Sequence, residues 1–196
     1  MKKMLLMSSQ AGVYALIFIL TLSSTLRVSA ATPRGGFAIR HAHTQLQDAV
    51  YLLNADLSYQ LSEDNIEALH NAVPLTLVLN IEVERHRKWW LDETVAKLQQ
   101  RYQLKYHILG KRYLLTYLNT GISESYTTLN NALSALSQLR NFPLLDAKLT
   151  RTDGEYRVHL QTYLDIESLP APMRPIAWFS KPWRLISEPY TCPLQN

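Results

Sequence analysis

The sequence has a single cysteine, Cys192, among its 196 residues. A disulfide within the chain is therefore excluded, and a fold of this chain has to be stabilised by the burial of apolar side chains. A chain of this length buries enough apolar surface to do so as one domain. A lone thiol can form a disulfide only with another molecule. We expect instead that the Cys192 thiol is idle or partly buried.

The sequence also lacks the short motifs that carry catalysis or tight metal binding. It contains no G-x-S-x-G, H-E-x-x-H, C-x-x-C or Walker-type glycine loop. His41 and His43 have no cysteine or carboxylate at ligand spacing, and Asp165 and Glu167 are typical of solvated acids at a strand end. We therefore predict no catalytic, metal or cofactor-binding residues, and an enzyme of unrecognised type remains the third alternative.

A large net charge is missing as well. The formal charge of +4 includes Lys2, Lys3 and Arg27. If these three leave with a cleaved signal peptide, 17 basic residues face 16 acidic ones. A protein so close to neutral has no electrostatic footprint for nucleic acid, which we exclude as a partner.

The N-terminus has the pattern of a secretory signal peptide. Two lysines precede an apolar run over residues 11–22, and small residues follow at 28–31. The run is shorter than the ~20 residues that a membrane span needs, although an uncleaved anchor is the alternative. We predict a signal peptide over residues 1–30, a flexible leader over 31–47 and a single globular domain over 48–190. The predicted location is the periplasm or cell envelope.

Residues 73–118 show the clearest pattern of the chain, a period of two that predicts a meander of three antiparallel strands. A strand is also predicted over residues 49–61. On the first strand of the meander, the residues predicted to point inward are Leu75, Leu77, Leu79, Ile81 and Val83. On the strand over residues 49–61, they are Tyr51, Leu53, Ala55, Leu57, Tyr59 and Leu61. The opposite parity of the first meander strand, with Thr76 and Asn80, is predicted to be the wetter face.

Two short helices are predicted, over residues 63–71 with Ser62 as N-cap and over residues 126–139 with Ser125 as N-cap. Asp153-Gly154 predicts a hairpin between residues 144–150 and 155–166. The proline-rich residues 169–175 are expected to be extended, and residues 183–188 to form an edge strand. The fold class is mainly β, with β-sandwich-like antiparallel sheets and two short helices; the alternative is α+β.

One cluster has a composition that suits an interaction surface, at the first turn of the meander. It consists of Arg85, His86, Arg87, Lys88, Trp89 and Trp90. Indoles beside cations are typical of membrane interfaces, cation–π contacts and protein hot spots. The alternative is that one indole covers the core while the cations belong to a solvated loop.

Several stretches resemble an uncharacterised proteobacterial envelope family, domain-of-unknown-function family 4390. They are ADLSYQL (residues 55–61), PLTLVLNIEVER (74–85), the Trp89-Trp90 pair, YLLTY (113–117), LDIESLPAPMRP (164–175) and WRLISE (183–188). The resemblance implies an N-terminal signal and genes beside that of a nitrogen-regulation-type sensor histidine kinase. It carries over no catalytic residues.

The first functional hypothesis is a periplasmic or envelope binding module without enzymatic activity, accessory to a membrane sensor kinase. Its partner would be an inner-membrane sensor protein or the membrane surface. The alternative is a domain that handles an apolar ligand or lipid, since many tyrosines and leucines have inward parity. Exposed Trp89 and Trp90 would favour the first hypothesis, and a dry cavity lined by tyrosines would favour the second.

Overall fold

The computed structural model describes residues 35–151 and 154–195, so the predicted signal peptide lies outside the described residues. The described part contains nine strands and three short α-helices. The strands are β1 (Gly36–Gln47), β2 (Val50–Gln60), β3 (Leu75–Arg85), β4 (Glu93–His107), β5 (Arg112–Tyr117), β6 (Ser123–Tyr126), β7 (Gln138–Asp146), β8 (Tyr156–Leu164) and β9 (Tyr190–Pro193). The helices are α1 (Glu63–His70), α2 (Leu129–Leu136) and α3 (Arg174–Phe179).

The strands form two antiparallel sheets, with the orders β1-β2-β7 and β6-β5-β4-β3-β8-β9. One apolar core contains buried side chains from both sheets. The two sheets also meet through a hydrogen bond in which the Thr44 hydroxyl donates to the carbonyl of Pro193 at 3.1 Å. The prediction of a mainly β, sandwich-like fold is confirmed, although the helices number three in the described residues instead of two.

The meander is confirmed as β3, β4 and β5, and its inward parity is correct. Every residue predicted to point inward from β3 is fully buried. On the opposite parity, however, Thr76 and Val78 are buried as well, and only from Asn80 onward is that face partly exposed. The wetter face therefore covers the second half of β3 and not the whole strand.

The flexible leader predicted over residues 31–47 is wrong for Gly36–Gln47, which pair with β2 over their whole length. The pairing register shifts between Ile39 and His41. A bulge of this kind interrupts the period of two, so the alternation that identifies a strand was hidden in the sequence. The turn to β2 uses Asp48 and Ala49 at positive φ and has no glycine signal.

Both predicted helices exist, with different accuracy. Ser62 is the N-cap of α1 as predicted, in a capping box with Asn65. The second helix was predicted too long: α2 begins after Thr128, whose side chain accepts a hydrogen bond from the Asn131 N–H. The residues before it form β6, which pairs with β5, and the residues after it form β7.

The hairpin predicted around Asp153-Gly154 is wrong, because β7 and β8 belong to different sheets. β7 pairs with β2, while β8 pairs with β3 and β9. The link between them therefore crosses from one sheet to the other. Both strands pair with partners that are distant in the sequence, and this pairing outweighs the local turn signal. Asp153 itself lies outside the described residues.

The C-terminal predictions also need correction. Within residues 169–175, Ala171–Met173 form a 3-10 turn and α3 begins at Arg174, with proline in its first turn. Residues 183–188 make only a single bridge to β8, between Tyr163 and Ile186. The edge strand is β9, which buries Cys192 against the core. Burial raises the pKa of the Cys192 thiol to about 11, so it stays protonated near neutral pH.

Candidate functional site

The candidate cluster lies on the loop between β3 and β4. We call residues 86–92 the tryptophan loop. The two strands stay paired up to Arg85 and Glu93, and the loop projects beyond this last pair. The exposed fractions are 91% for Trp89, 81% for Trp90 and 90% for Leu91. The alternative in which one indole covers the core is therefore wrong, because neither ring contributes to it.

The loop is held at its base by paired charges. Glu93 forms ion pairs with both Arg85 and Arg87. Asp92 Oδ1 lies 3.0 Å from His86 Nδ1 and accepts the backbone N–H of Arg87 at 3.1 Å. Arg85 and Arg87 thus face Glu93, His86 faces Asp92, and both indoles are exposed.

The base also contacts the neighbouring strand of the same sheet. The backbone N–H of His86 donates to the carbonyl of Glu155, just before β8, at 2.8 Å. Lys88 forms no ion pair with any residue that the structure describes. The loop therefore presents one free cation beside three apolar side chains.

The carboxyl groups at the base respond to these contacts. The pKa of Glu93 is lowered, first by its hydrogen bond from Arg87 and then by the charges of Arg85 and Arg87. The pKa of Asp92 is lowered, first by the Arg87 backbone N–H and then by His86. Both acids therefore remain ionised near neutral pH, when they can hold the cations.

The structure brings together all six residues of the predicted surface and adds three that the sequence analysis missed. Leu91 extends the exposed apolar group, Glu93 pairs with Arg85 and Arg87, and Asp92 faces His86. The signal for Leu91 was present in the sequence, since it continues the apolar run of the two tryptophans. The signal for Asp92 and Glu93 was their place in the sequence, a few residues after the cations, where a short loop between two paired strands brings both sets together.

The other residues considered for chemistry have structural surroundings. The Asp165 carboxylate accepts from Arg101 at 2.8 Å, from the Ser168 hydroxyl at 2.5 Å and from the Glu167 N–H at 3.1 Å. It caps a 3-10 turn, Ile166–Ser168. His41 and His43 are exposed on β1, with ring centroids 5.4 Å apart. Among the described residues no group of three or more His, Cys, Asp or Glu side chains is placed to hold a metal.

Two cavities bear on the apolar-ligand alternative. One, of about 470 Å³, has Tyr51 and Tyr156 among its lining residues, together with the polar Thr150 and Arg151. Its walls are therefore too polar for the dry cavity that the alternative requires. The other is a groove of about 310 Å³ with mainly apolar walls, and its lining residues include Tyr163, Ile166, Trp178, Arg184, Leu185 and Ile186.

No helix within residues 35–151 and 154–195 is both long and apolar enough to cross a membrane.

Comparison with known proteins identifies the family of the chain. A family model described as a domain of unknown function, DUF4390, matches residues 34–193, which covers all nine strands. Searches of curated proteins and of solved structures return no significant match. The match spans most of the sequence, and the chain therefore belongs to the DUF4390 family.

Proposed function

We propose that this chain is a non-enzymatic binding module of the cell envelope that docks on a protein partner through the tryptophan loop. The observation that carries the proposal is the exposure of Trp89, Trp90 and Leu91 side by side on a loop whose base is fixed by ion pairs. Large apolar side chains that are exposed together are typical of interaction sites.

Magnitudes favour apolar burial over charge as the source of affinity. Burying a large apolar side chain contributes about 1.5–3 kcal/mol, so the three side chains together supply roughly 5–9 kcal/mol. A cation at an anionic membrane surface contributes about 1 kcal/mol. Since Arg85, His86 and Arg87 face carboxylates, Lys88 alone is available for such attraction. Docking of this loop by charge is therefore too weak, and an apolar contact dominates.

The fixed base supports a protein partner for a second reason. Ordering side chains on binding costs about 0.5–1.5 kcal/mol for each flexible group. The ion pairs of Glu93 and the hydrogen bond from His86 to the Glu155 carbonyl order the backbone of the loop before any partner arrives. Two exposed indoles on a loop that is anchored at its base have the character of hot-spot residues, which are rich in tryptophan.

The location and the identity of the partner rest on the sequence. The signal-like residues 1–30 support export to the envelope. The family resemblance supports a membrane sensor kinase as the partner, with this chain as its accessory. Within this proposal the tryptophan loop contacts the part of the sensor outside the cytoplasm.

The experiment is quantitative capture of partners from envelope extracts. Trp89→Ala plus Trp90→Ala should weaken capture at least about 30-fold, since loss of a hot spot costs ≥2 kcal/mol. Ile108→Ala plus Leu109→Ala is the matched control, because both side chains are exposed at the opposite end of β4. If both variants capture the partner equally well and melt at the same temperature as wild type, the tryptophan loop is not the binding site.

A second candidate function, the handling of an apolar ligand, is supported by the groove beside Trp178. Organic extraction of the protein purified from its own envelope, followed by mass spectrometry, tests this. A stoichiometric lipid would support the handling of an apolar ligand. If no lipid is found in a protein that still captures a partner, the binding module is the only one of the two functions that remains supported.

A further inference from the structure

A second exposed apolar surface lies on the C-terminal part of the chain. Helix α3 buries Ala177 and leaves Ile176, Trp178 and Phe179 exposed, with 89% of Phe179 open to solvent. Ile186 is exposed as well. So many large apolar side chains within eleven residues form a patch of the kind that marks an interaction site.

The apolar groove opens within this patch. Trp178 and Ile186 belong both to the patch and to the groove. The rest of the apolar wall is formed by Tyr163, Leu164, Ile166 and Leu185. Its volume of about 310 Å³ is at the lower end of the range for ligand pockets. The patch therefore contains a recess with mainly apolar walls and is not a flat surface.

The charges around the patch differ from those of the tryptophan loop. Residues 174–186 contain Arg174, Lys181 and Arg184 and no acid. In the described part of the chain none of these three cations forms an ion pair. Of the two acids in the groove wall, Asp165 is held by Arg101, and Glu167 offsets one of the three positive charges.

We propose that this surface, residues 174–186 with the groove, docks on the surface of a lipid bilayer that contains anionic headgroups. The exposed Trp178 and Phe179 enter the interfacial region, where aromatic side chains are enriched. Lys181 and Arg184 contact lipid phosphates, and the groove receives a short length of acyl chain. Exposed apolar side chains beside unpaired cations are the chemistry of an interfacial membrane contact. The inference does not depend on the partner of the tryptophan loop.

The first test measures binding of the protein purified from its own envelope, which is expected to begin at Ala31, to vesicles with and without anionic phosphatidylglycerol, at low salt. A cation near an anionic surface strengthens binding about five-fold. Lys181→Gln plus Arg184→Gln should therefore weaken binding to anionic vesicles about 30-fold and leave binding to neutral vesicles unchanged. Lys105→Gln plus Lys111→Gln is the control, because it removes the same two positive charges from exposed lysines near the β4–β5 turn. An equal loss in both variants, or no loss in either, would overturn the proposal.

The second test locates the contact directly. In a background with Trp89→Phe and Trp90→Phe, the remaining indoles are the exposed Trp178 and the buried Trp183. Lipids brominated on the acyl chain should quench the fluorescence of this variant, and adding Trp178→Phe should abolish that quenching. Quenching that is absent, or that persists without Trp178, would place the bilayer contact elsewhere. All variants change exposed side chains, and melting temperatures equal to wild type verify that each is folded.

Discussion

The Tyr59 hydroxyl of β2 lies 3.2 Å from the Thr162 hydroxyl of β8, so the two sheets meet at a buried polar contact. Thr162 Oγ1 also donates to the carbonyl of Val78 at 2.9 Å. Thr162 Oγ1 is therefore the donor toward both the Tyr59 hydroxyl and the Val78 carbonyl, and its single proton serves one of these acceptors at a time. Burial raises the pKa of Tyr59 to about 12, with the hydrogen bond from Thr162 acting in the opposite direction.

Tyr59→Phe tests this contact through pH. The folded pKa is raised above the usual value of 10.0, so the unfolded chain loses its proton first and stability falls as pH rises from about 10 to 12. Wild type should lose about 1 kcal/mol from this group by pH 11. Tyr59→Phe should lower the free energy of unfolding by about 1 kcal/mol at pH 8. Between pH 8 and pH 11 the variant should lose about 1 kcal/mol less than wild type, because it has no phenol to ionise. Urea unfolding at both pH values measures the difference, and an identical alkaline loss in both proteins would contradict the assignment.

The two faces of β3 give a stability prediction with an internal control. Leu79→Asp should destabilise by more than ~3 kcal/mol, because it buries an unpaired charge. Asn80→Asp should stay within about 1 kcal/mol, since Asn80 is half-buried and its Oδ1 accepts from Gln99 at 2.9 Å, a role that a carboxylate can keep.

Val78→Asp separates the structure from the sequence pattern. Val78 shares the parity of Asn80, yet it is buried, so we expect it to behave like Leu79 and lose more than ~3 kcal/mol. Chemical unfolding of the three variants decides this. Tolerance of Val78→Asp would mean that the outer face of β3 is wet along its whole length.

The base of the tryptophan loop should depend on Glu93. Glu93→Gln removes the common partner of Arg85 and Arg87, and hydrogen exchange across residues 86–92 should become faster at neutral pH. Because the folded pKa of Glu93 is lowered, its contribution is present above the usual pKa of 4.5 and is lost as pH falls through the folded value. Wild type should therefore approach the exchange behaviour of Glu93→Gln only in acid. Equal protection in the two proteins at neutral pH would contradict the role of these ion pairs.

Within the tryptophan loop, the indoles and the cations should contribute unequally to capture of a partner. Trp89→Ala plus Trp90→Ala should weaken capture more than Arg87→Ala plus Lys88→Ala, because truncating a hot spot costs ≥2 kcal/mol and an exposed ion pair contributes about 0–1 kcal/mol. The comparison uses variants whose melting temperatures match wild type. If the cation pair has the larger effect, the contact is electrostatic.

Export remains a prediction of the sequence. We expect the mature protein to begin at Ala31 and to be found in the envelope, which mass spectrometry of the native protein measures. Cleavage there leaves β1, which begins at Gly36, intact. Recovery of the chain with residues 1–30 from a soluble cytoplasmic fraction would contradict export.

The sequence by itself determined the elements whose signals are local. The alternation in β2, β3 and β4 identifies strands because successive side chains point to opposite faces. Ser62 begins α1 because its side chain satisfies the Asn65 N–H, three residues ahead. The cluster around Trp89 was likewise visible, since it needs only neighbours in the chain.

The tertiary structure alone decided what depends on distant residues. β7 is a strand because β2 provides its partner, with Tyr51 opposite Leu145, and no local turn signal contains that pairing. The bulge in β1 removed the period of two that would have revealed the strand. Whether Val78 is buried and whether Trp89 is exposed depends on what packs on each side, and burial is a property of the assembled core that composition and spacing do not contain.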